Sequence, residues 1–252
     1  MVRMDSNRTA ADMHPVVVVH GAFGGGWEWT PVADRLRTDG LRVFTPTLSG
    51  LGDRAHLDPA TVGLGTHVAD VVAVLEMEDL EDVVLCAASY AGVPVTAAAA
   101  RIANRLARIV YLDALVPRDG EAAADLLPRQ FADELRAGLR SDGPAHLVPV
   151  PASILPPVGS APEDLRRRYV ARLQPQPVLT FLEPSDVVPT TVATTFVRST
   201  GSNLGQGADD PITAMAQRAR DAGWDYREIE ATHDPHLSNP DAVVALLREL
   251  AG

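Results

Sequence analysis

The feature that most constrains this chain is a run of four valines, Val16–Val19, ending in His20 and the glycine-rich segment 21–26 (GAFGGG). A strand with one wet face alternates apolar and polar residues, whereas an unbroken β-branched run fits a strand buried on both faces. Such a strand needs a layer on either side of its sheet, and the rest of the chain supplies them. Residues 30–39 (TPVADRLRTD) carry helical spacing, with Thr30 as N-cap, Pro31 at the first helical position and Gly40 as the stop. Further strands are expected at 41–45, 83–86, 109–112, 194–199 and 224–229. Helices are expected at 67–76, 92–106, 212–222 and 241–250. Strands alternating with helices predict a mostly parallel sheet with helices on both faces.

The alternation stops between Leu112 and Thr194. Residues 117–189 hold most of the chain's prolines and two helical patterns, at 130–140 and 162–173. A small lid inserted between strands, at about 118–190, is expected there rather than a second domain. With 252 residues, 46% of them hydrophobic and 22% charged, the chain suits one folded domain, at 15–252. Residues 1–14 (MVRMDSNRTAADMH) lack the apolar middle of a signal peptide and read as a disordered tail. No apolar stretch approaches a membrane span, so a cytoplasmic location is expected. The net charge of −11 speaks against nucleic acid and anionic membranes as partners. A small-molecule substrate is expected instead, and oligomeric state is not readable. Cys86, the single cysteine, lies in an apolar run and reads as a buried, inert thiol.

In an open parallel sheet ligands bind at the carboxyl ends of the strands. Three groups fall there: the 20–26 loop, Ser89 in VVLCAASYAGV (83–93), and His233 in THDPHLSNP (232–240). A serine hydroxyl is a weak nucleophile and needs a base within hydrogen-bond reach, for which histidine has a suitable pKa. A tetrahedral intermediate needs two backbone N–H donors. The residue after the nucleophile supplies one, and a glycine-rich loop that approaches closely supplies the other. The usual nucleophile elbow is G-x-S-x-G; here Ala87 and Ala91 replace both glycines. The 21–26 run lacks the Lys-Ser/Thr of a P-loop and the spacing of a dinucleotide site, so no cofactor is expected. His233 and His236 form H-x-x-H without a third ligand cluster, so no metal is expected. His20 reads as structural.

Together these segments, with LSGLGDRAHL (48–57), IVYLDALVP (109–117) and RLQPQP (172–177), resemble the α/β-hydrolase superfamily, in its plant methylesterase/hydroxynitrile lyase branch with bacterial esterase relatives. The resemblance implies the α/β-hydrolase fold, Ser89 as nucleophile, His233 as base, and an oxyanion hole made by the backbone N–H groups of Ala22 and Tyr90. The triad acid departs from the pattern. Relatives place an aspartate after the fifth strand, where this chain has Ser202 or Asn203 in a lengthened loop. Asp113, at the end of the fourth strand, is the first candidate, since haloalkane dehalogenases carry their acid there; Asp209 and Asp210 are the alternatives.

The function expected is a serine hydrolase for a small or medium apolar ester or lactone. Phe23 and Trp27, with Trp29 nearby, would bind an aromatic or polyketide-like substrate. A non-hydrolytic lyase or cyclase using the same pocket, or a ligand binder without chemistry, are the alternatives. Cyanohydrin cleavage is disfavoured, because the threonine and lysine that hydroxynitrile lyases use are replaced by Gly21 and Asp234.

Overall fold

The structure is a computed structural model that describes residues 13–138, 146–202, 204 and 210–252. Its strands are β1 (Val16–Val19), β2 (Val43–Phe44), β3 (Val83–Ala88), β4 (Leu106–Leu112), β5 (Leu147–Val148), β6 (Gln176–Pro177), β7 (Ala193–Gly201) and β8 (Asp225–Thr232). Its α-helices are α1 (Thr30–Thr38), α2 (Leu64–Met77), α3 (Gly92–Ala98), α4 (Arg129–Gly138), α5 (Glu163–Val170), α6 (Leu179–Leu182), α7 (Pro211–Asp221), α8 (Pro235–Ser238) and α9 (Pro240–Ala251). Six strands form one sheet in the order β2-β1-β3-β4-β7-β8, and every neighbouring pair is parallel. The strand order reverses at β1, so the crevice between the ends of β1 and β3 is where such a sheet takes a ligand.

All four valines of β1 are fully buried. Val17 and Val19 join one apolar cluster, with Leu85, Ile109 and α2; Val16 and Val18 join the other, with Val84, Val110, α1 and α9. The two faces of one strand thus seed the two layers of core. Cys86 is wholly buried, and burial pushes its thiol up to about 12. No helix among the described residues is long and apolar enough to cross a membrane.

Several boundaries differ from expectation, each for a physical reason. A tight turn at Gly26–Trp29 runs straight into α1, so Trp29 takes the N-cap position and Thr30 is the first helical residue. The alanine-rich segment leaves α3 at Ala98, continues as two tight turns and enters β4 at Leu106, earlier than the strand expected at 109. Apolar pairing with β3 takes Leu106 into the sheet despite the helical propensity of the alanines before it. Helix α2 starts at Leu64 rather than His67, because the Glu183 carboxylate accepts the Leu64 N–H at 2.6 Å. Most of the segment expected as a tail, residues 1–12, lies outside the described residues; His14 N–H donates to Ala251 C=O at 2.8 Å. Residues 139–145, which include the end of the helix expected at 130–140, also lie outside.

Between β4 and β7 the chain forms α4, the antiparallel pair β5–β6, α5 and α6. Helix α3 comes so close to the exit of β4 that a Cβ on Gly92 would lie 2.1 Å from the Leu115 carbonyl oxygen. Gly92→Ala is therefore expected to cost about 1–3 kcal/mol or more of stability through overpacking. Gly65→Ala, in α2 where a Cβ meets nothing within 4 Å, should be neutral or stabilising by up to about 1 kcal/mol. Denaturant unfolding of the two variants checks the contrast, which would be lost if the backbones at Gly92 and Leu115 were free to separate.

Candidate active site

Strand β3 ends at Ala88, and the next residue, Ser89, takes a left-handed backbone, φ 52°. That conformation costs a non-glycine residue about 1–3 kcal/mol and persists only where the surroundings impose it. Here the Leu115 N–H donates to the Ser89 carbonyl at 3.0 Å. Ala87 and Ala91, at the elbow's usual glycine positions, are both wholly buried and fit without glycine. The close approaches have moved to Gly92 and to Gly21, where a Cβ would lie 3.2 Å from Ser89 Cβ.

Two more residues around this point share the left-handed strain: Phe23 at φ 65° and Asp113 at φ 47°. The other two such non-glycine residues among those described, Asp79 and Asp82, sit between α2 and β3. Asp113 follows β4 and is fully buried. Its Oδ1 accepts the Ser199 N–H at 2.8 Å, and its Oδ2 lies 2.7 Å from His233 Nδ1. His233 follows β8, and its Nε2 lies 2.8 Å from Ser89 Oγ. Three strand ends thus bring acid, imidazole and hydroxyl into one line. Burial works against charging His233, but the hydrogen bond and the charge of Asp113 outweigh it and raise the imidazole pKa.

The other acid candidates lie elsewhere. Asp210 caps α7, accepting from Ile212 N–H at 3.0 Å and from the Thr213 hydroxyl at 2.9 Å, with Arg198 at 3.4 Å. Its oxygens are therefore engaged away from His233. Asp209 and Asn203 lie outside the described residues. From within β7 the Ser199 amide is offered to Asp113.

His20 is fully buried, and burial lowers its pKa to about 4. Its Nε2 accepts the Leu48 N–H at 3.0 Å, so its Nδ1 carries the proton donated to Gly21 C=O at 2.8 Å. That carbonyl belongs to the same peptide plane as the Ala22 N–H, so His20 aims the amide. Among the described residues the Ala22 N–H has no protein acceptor, and the Tyr90 N–H lies in a first helical turn, where amides lack partners. Both residues line the pocket at Ser89.

The pocket over Ser89 has an apolar wall that includes Phe23, Leu127, Phe131, Leu173 and Phe181, four of them from the lid region. Glu28, Tyr169, Asp234 and His236 also line it. Burial, reinforced by Asp234, holds the Glu28 carboxyl's pKa well above the usual carboxylate range. Burial lowers His236 to about 3, which keeps it neutral at physiological pH. Trp27 is not among the residues that line the pocket: its ring meets that of Tyr169 at 5.6 Å, tilted by 54°, with the Arg172 guanidinium over it at 5.3 Å. Trp29 is fully buried against His236 at 4.8 Å. No metal-binding cluster of His, Cys, Asp or Glu occurs among the described residues. Sequence reasoning missed Glu28 and Tyr169. A charged residue between two tryptophans in GGGWEWT was the available signal for the first; nothing local marked the second.

Comparison with known proteins agrees with this architecture. The alpha/beta hydrolase family matches residues 16–246. A carbendazim hydrolyzing esterase of Nocardioides sp. (strain SG-4G) is 39% identical over 176 residues, 67% of this chain and 71% of that one. Methylesterase 10 of Arabidopsis thaliana is 29% identical over 121 residues, covering 47% of this chain and 44% of that one. Among solved structures, an extracellular alpha/beta-hydrolase from a Paenibacillus species superposes with a TM-score of 0.81 at 21% identity, over 94% of this chain and 99% of that one. The sheet order and the sequence match lead to one assignment: the chain is a hydrolytic enzyme belonging to the alpha/beta hydrolase family.

Proposed function

We propose that this esterase-type hydrolase cleaves a small or medium apolar ester or lactone, with Ser89 as nucleophile, His233 as general base and Asp113 as the orienting acid. One observation carries the reading: the unbroken hydrogen-bond line from Asp113 through His233 to Ser89 opens onto an apolar pocket beside the Gly21–Ala22 amide. Ser89 gives its proton to His233 Nε2 as Oγ attacks the substrate carbonyl carbon. The carbonyl electron pair moves onto oxygen, which the Ala22 and Tyr90 N–H groups stabilise. The intermediate collapses to an acyl-enzyme, and the departing alkoxide takes the proton from His233. Water then repeats the sequence and releases the acid.

The named activities of the relatives, a carbendazim hydrolyzing esterase and a methylesterase, support an ester as substrate. Phe23 and the lid's apolar side chains give the pocket room for an aromatic or aliphatic acyl or alkyl group, while Trp27 contributes by backing Tyr169. A lyase or cyclase is disfavoured, since neither relative is named for such a reaction. A binder without chemistry has no use for three strained backbones and a hydrogen-bonded Ser–His pair.

Ser89→Ala should leave the fold intact, because the side chain is small, and lower kcat on a p-nitrophenyl ester by about 10^4-fold or more. Retention of most activity would remove Ser89 from the nucleophile role. A covalent serine probe should label the wild type at residue 89 and leave the variant untouched.

Asp113→Asn preserves an acceptor for the Ser199 N–H but turns an amide NH2 toward His233 Nδ1. The imidazole then carries its proton on Nε2 and cannot accept one from Ser89. The rate should fall by about 10^4-fold. In the wild type, kcat/KM should rise with pH as His233 loses its proton, with an inflection above the ordinary histidine value of 6.5. Without the carboxylate's support, the inflection should move down in Asp113→Asn. A pH–rate profile that is unchanged between the two proteins would exclude Asp113 as the partner that raises His233.

A further inference from the structure

The lid touches the oxyanion loop through hydrogen bonds to one residue. Phe23 directly follows Ala22 and holds its left-handed backbone inside the protein, 2% exposed. Both its backbone polar groups are taken by the lid. Its N–H donates to Gln176 Oε1 at 2.9 Å, and its C=O accepts the Gln174 N–H at 2.9 Å. Gln176 is itself fully buried.

The orientation of the Gln176 amide is fixed by its other neighbour. The Thr180 hydroxyl donates its single proton to Pro177 C=O at 2.6 Å. Its oxygen can therefore only accept, and it takes the Gln176 NH2 at 2.9 Å. This leaves Gln176 Oε1, and not its nitrogen, facing the Phe23 N–H. The Gly21–Ala22 peptide plane is held by His20, and the Ala22–Phe23 plane by Gln176. Between the two planes only the torsions of Ala22 remain, and clamping both planes fixes them. The single hydrogen bond from His20 at the Gly21 carbonyl leaves that plane free to tilt about it, so the direction of the Ala22 N–H depends as well on the lid side chain that anchors the adjoining plane.

We propose that Gln176 is a positioning residue for the oxyanion hole: seated by Thr180, it clamps the Phe23 amide, so that the Ala22 N–H is aimed at the developing oxyanion only while the lid segment is docked. This rests on the serine-esterase reading given above. Loss of the clamp leaves the Phe23 N–H buried without a partner and frees the loop to relax from its strained conformation. The affected step is the one in which negative charge appears on the substrate oxygen. Ground-state binding, which depends on the apolar wall, should change little.

The test uses the full-length enzyme, p-nitrophenyl butyrate as substrate and a fluorophosphonate probe to count competent sites. Gln176→Leu should lower kcat per titrated site by about 10- to 100-fold, below the loss for removing an oxyanion donor outright. KM should stay within about three-fold, the split expected for an interaction made only in the transition state. Affinity for an aryl trifluoromethyl ketone, whose Ser89 adduct carries an oxyanion, should fall in parallel with kcat/KM. Thr180→Val, which removes the group that orients Gln176 while keeping volume, should shift the same quantities in the same direction by a smaller factor, and it carries the test if Gln176→Leu gives no titratable sites. Variants whose kcat per site and ketone affinity match the wild type would overturn the positioning role and leave the esterase reading standing. A wild type that the probe does not label at Ser89 would overturn both.

Discussion

A carboxylate cut off from water must find its partners inside the protein, and Asp113 is in that position. It is fully buried, and its two oxygens are shared between the Ser199 amide and His233. Leaving either oxygen unpaired would cost more than a surface polar group can. The ends of β4, β7 and β8 must therefore meet at one point, and their meeting fixes the imidazole in the plane from which it reaches Ser89. The strain stored at Ser89 and Asp113 is tolerated because this junction leaves neither residue an alternative.

The layers of the fold were legible because their cause is local. Val16–Val19 announced a strand buried on both faces, and β1 seeds both apolar clusters. The alternation of strands and helices specified the parallel sheet. The meeting of Ser89 with His233 was legible because a sheet of this kind gathers its strand ends, so their order along the chain carries spatial meaning. The choice among the aspartates was not legible. It depends on which carboxyl the folded chain turns toward the imidazole, and Asp210 is instead drawn to the amides at the start of α7. The true start of helix α2 is invisible in the local sequence because its first turn is capped by Glu183, far along the chain. The run after Gly92 carries the signal of one long helix, because alanine favours helix wherever sheet pairing does not override it.

The side of the pocket that carries the Ala22 and Tyr90 amides has a support of its own. A buried polar chain runs from Gln176 to Thr180, from the Thr180 carbonyl to the Tyr90 hydroxyl at 3.1 Å, and from there to His67 Nδ1 at 3.0 Å. His67 continues it to the Ser49 carbonyl at 2.9 Å, and Ser49 to Asp70. Burial lowers His67 to about 4, so the chain does not change charge where His233 does. Phe23, next to Ala22, and Tyr90 are thus tied into one network, separate from the Asp113–His233 line. Neutral His67 gives its one proton to the Ser49 carbonyl, so the Tyr90 hydroxyl divides its single proton between His67 Nδ1 and the Thr180 carbonyl; buried polar contacts linked in this way stiffen their surroundings.

The Glu183 cap also has a consequence in time. Leu64 and Glu183 are separated by 119 positions, and synthesis delivers them in that order. At roughly 5–20 residues per second, the nascent chain carries the opening turn of α2 for roughly 6–24 s before the carboxylate that closes it exists. During that interval the Leu64 amide has only water or transient partners. The helix packed against the centre of the sheet can therefore be completed only after most of the lid has left the ribosome, which places its final registration late in biogenesis although its sequence comes early.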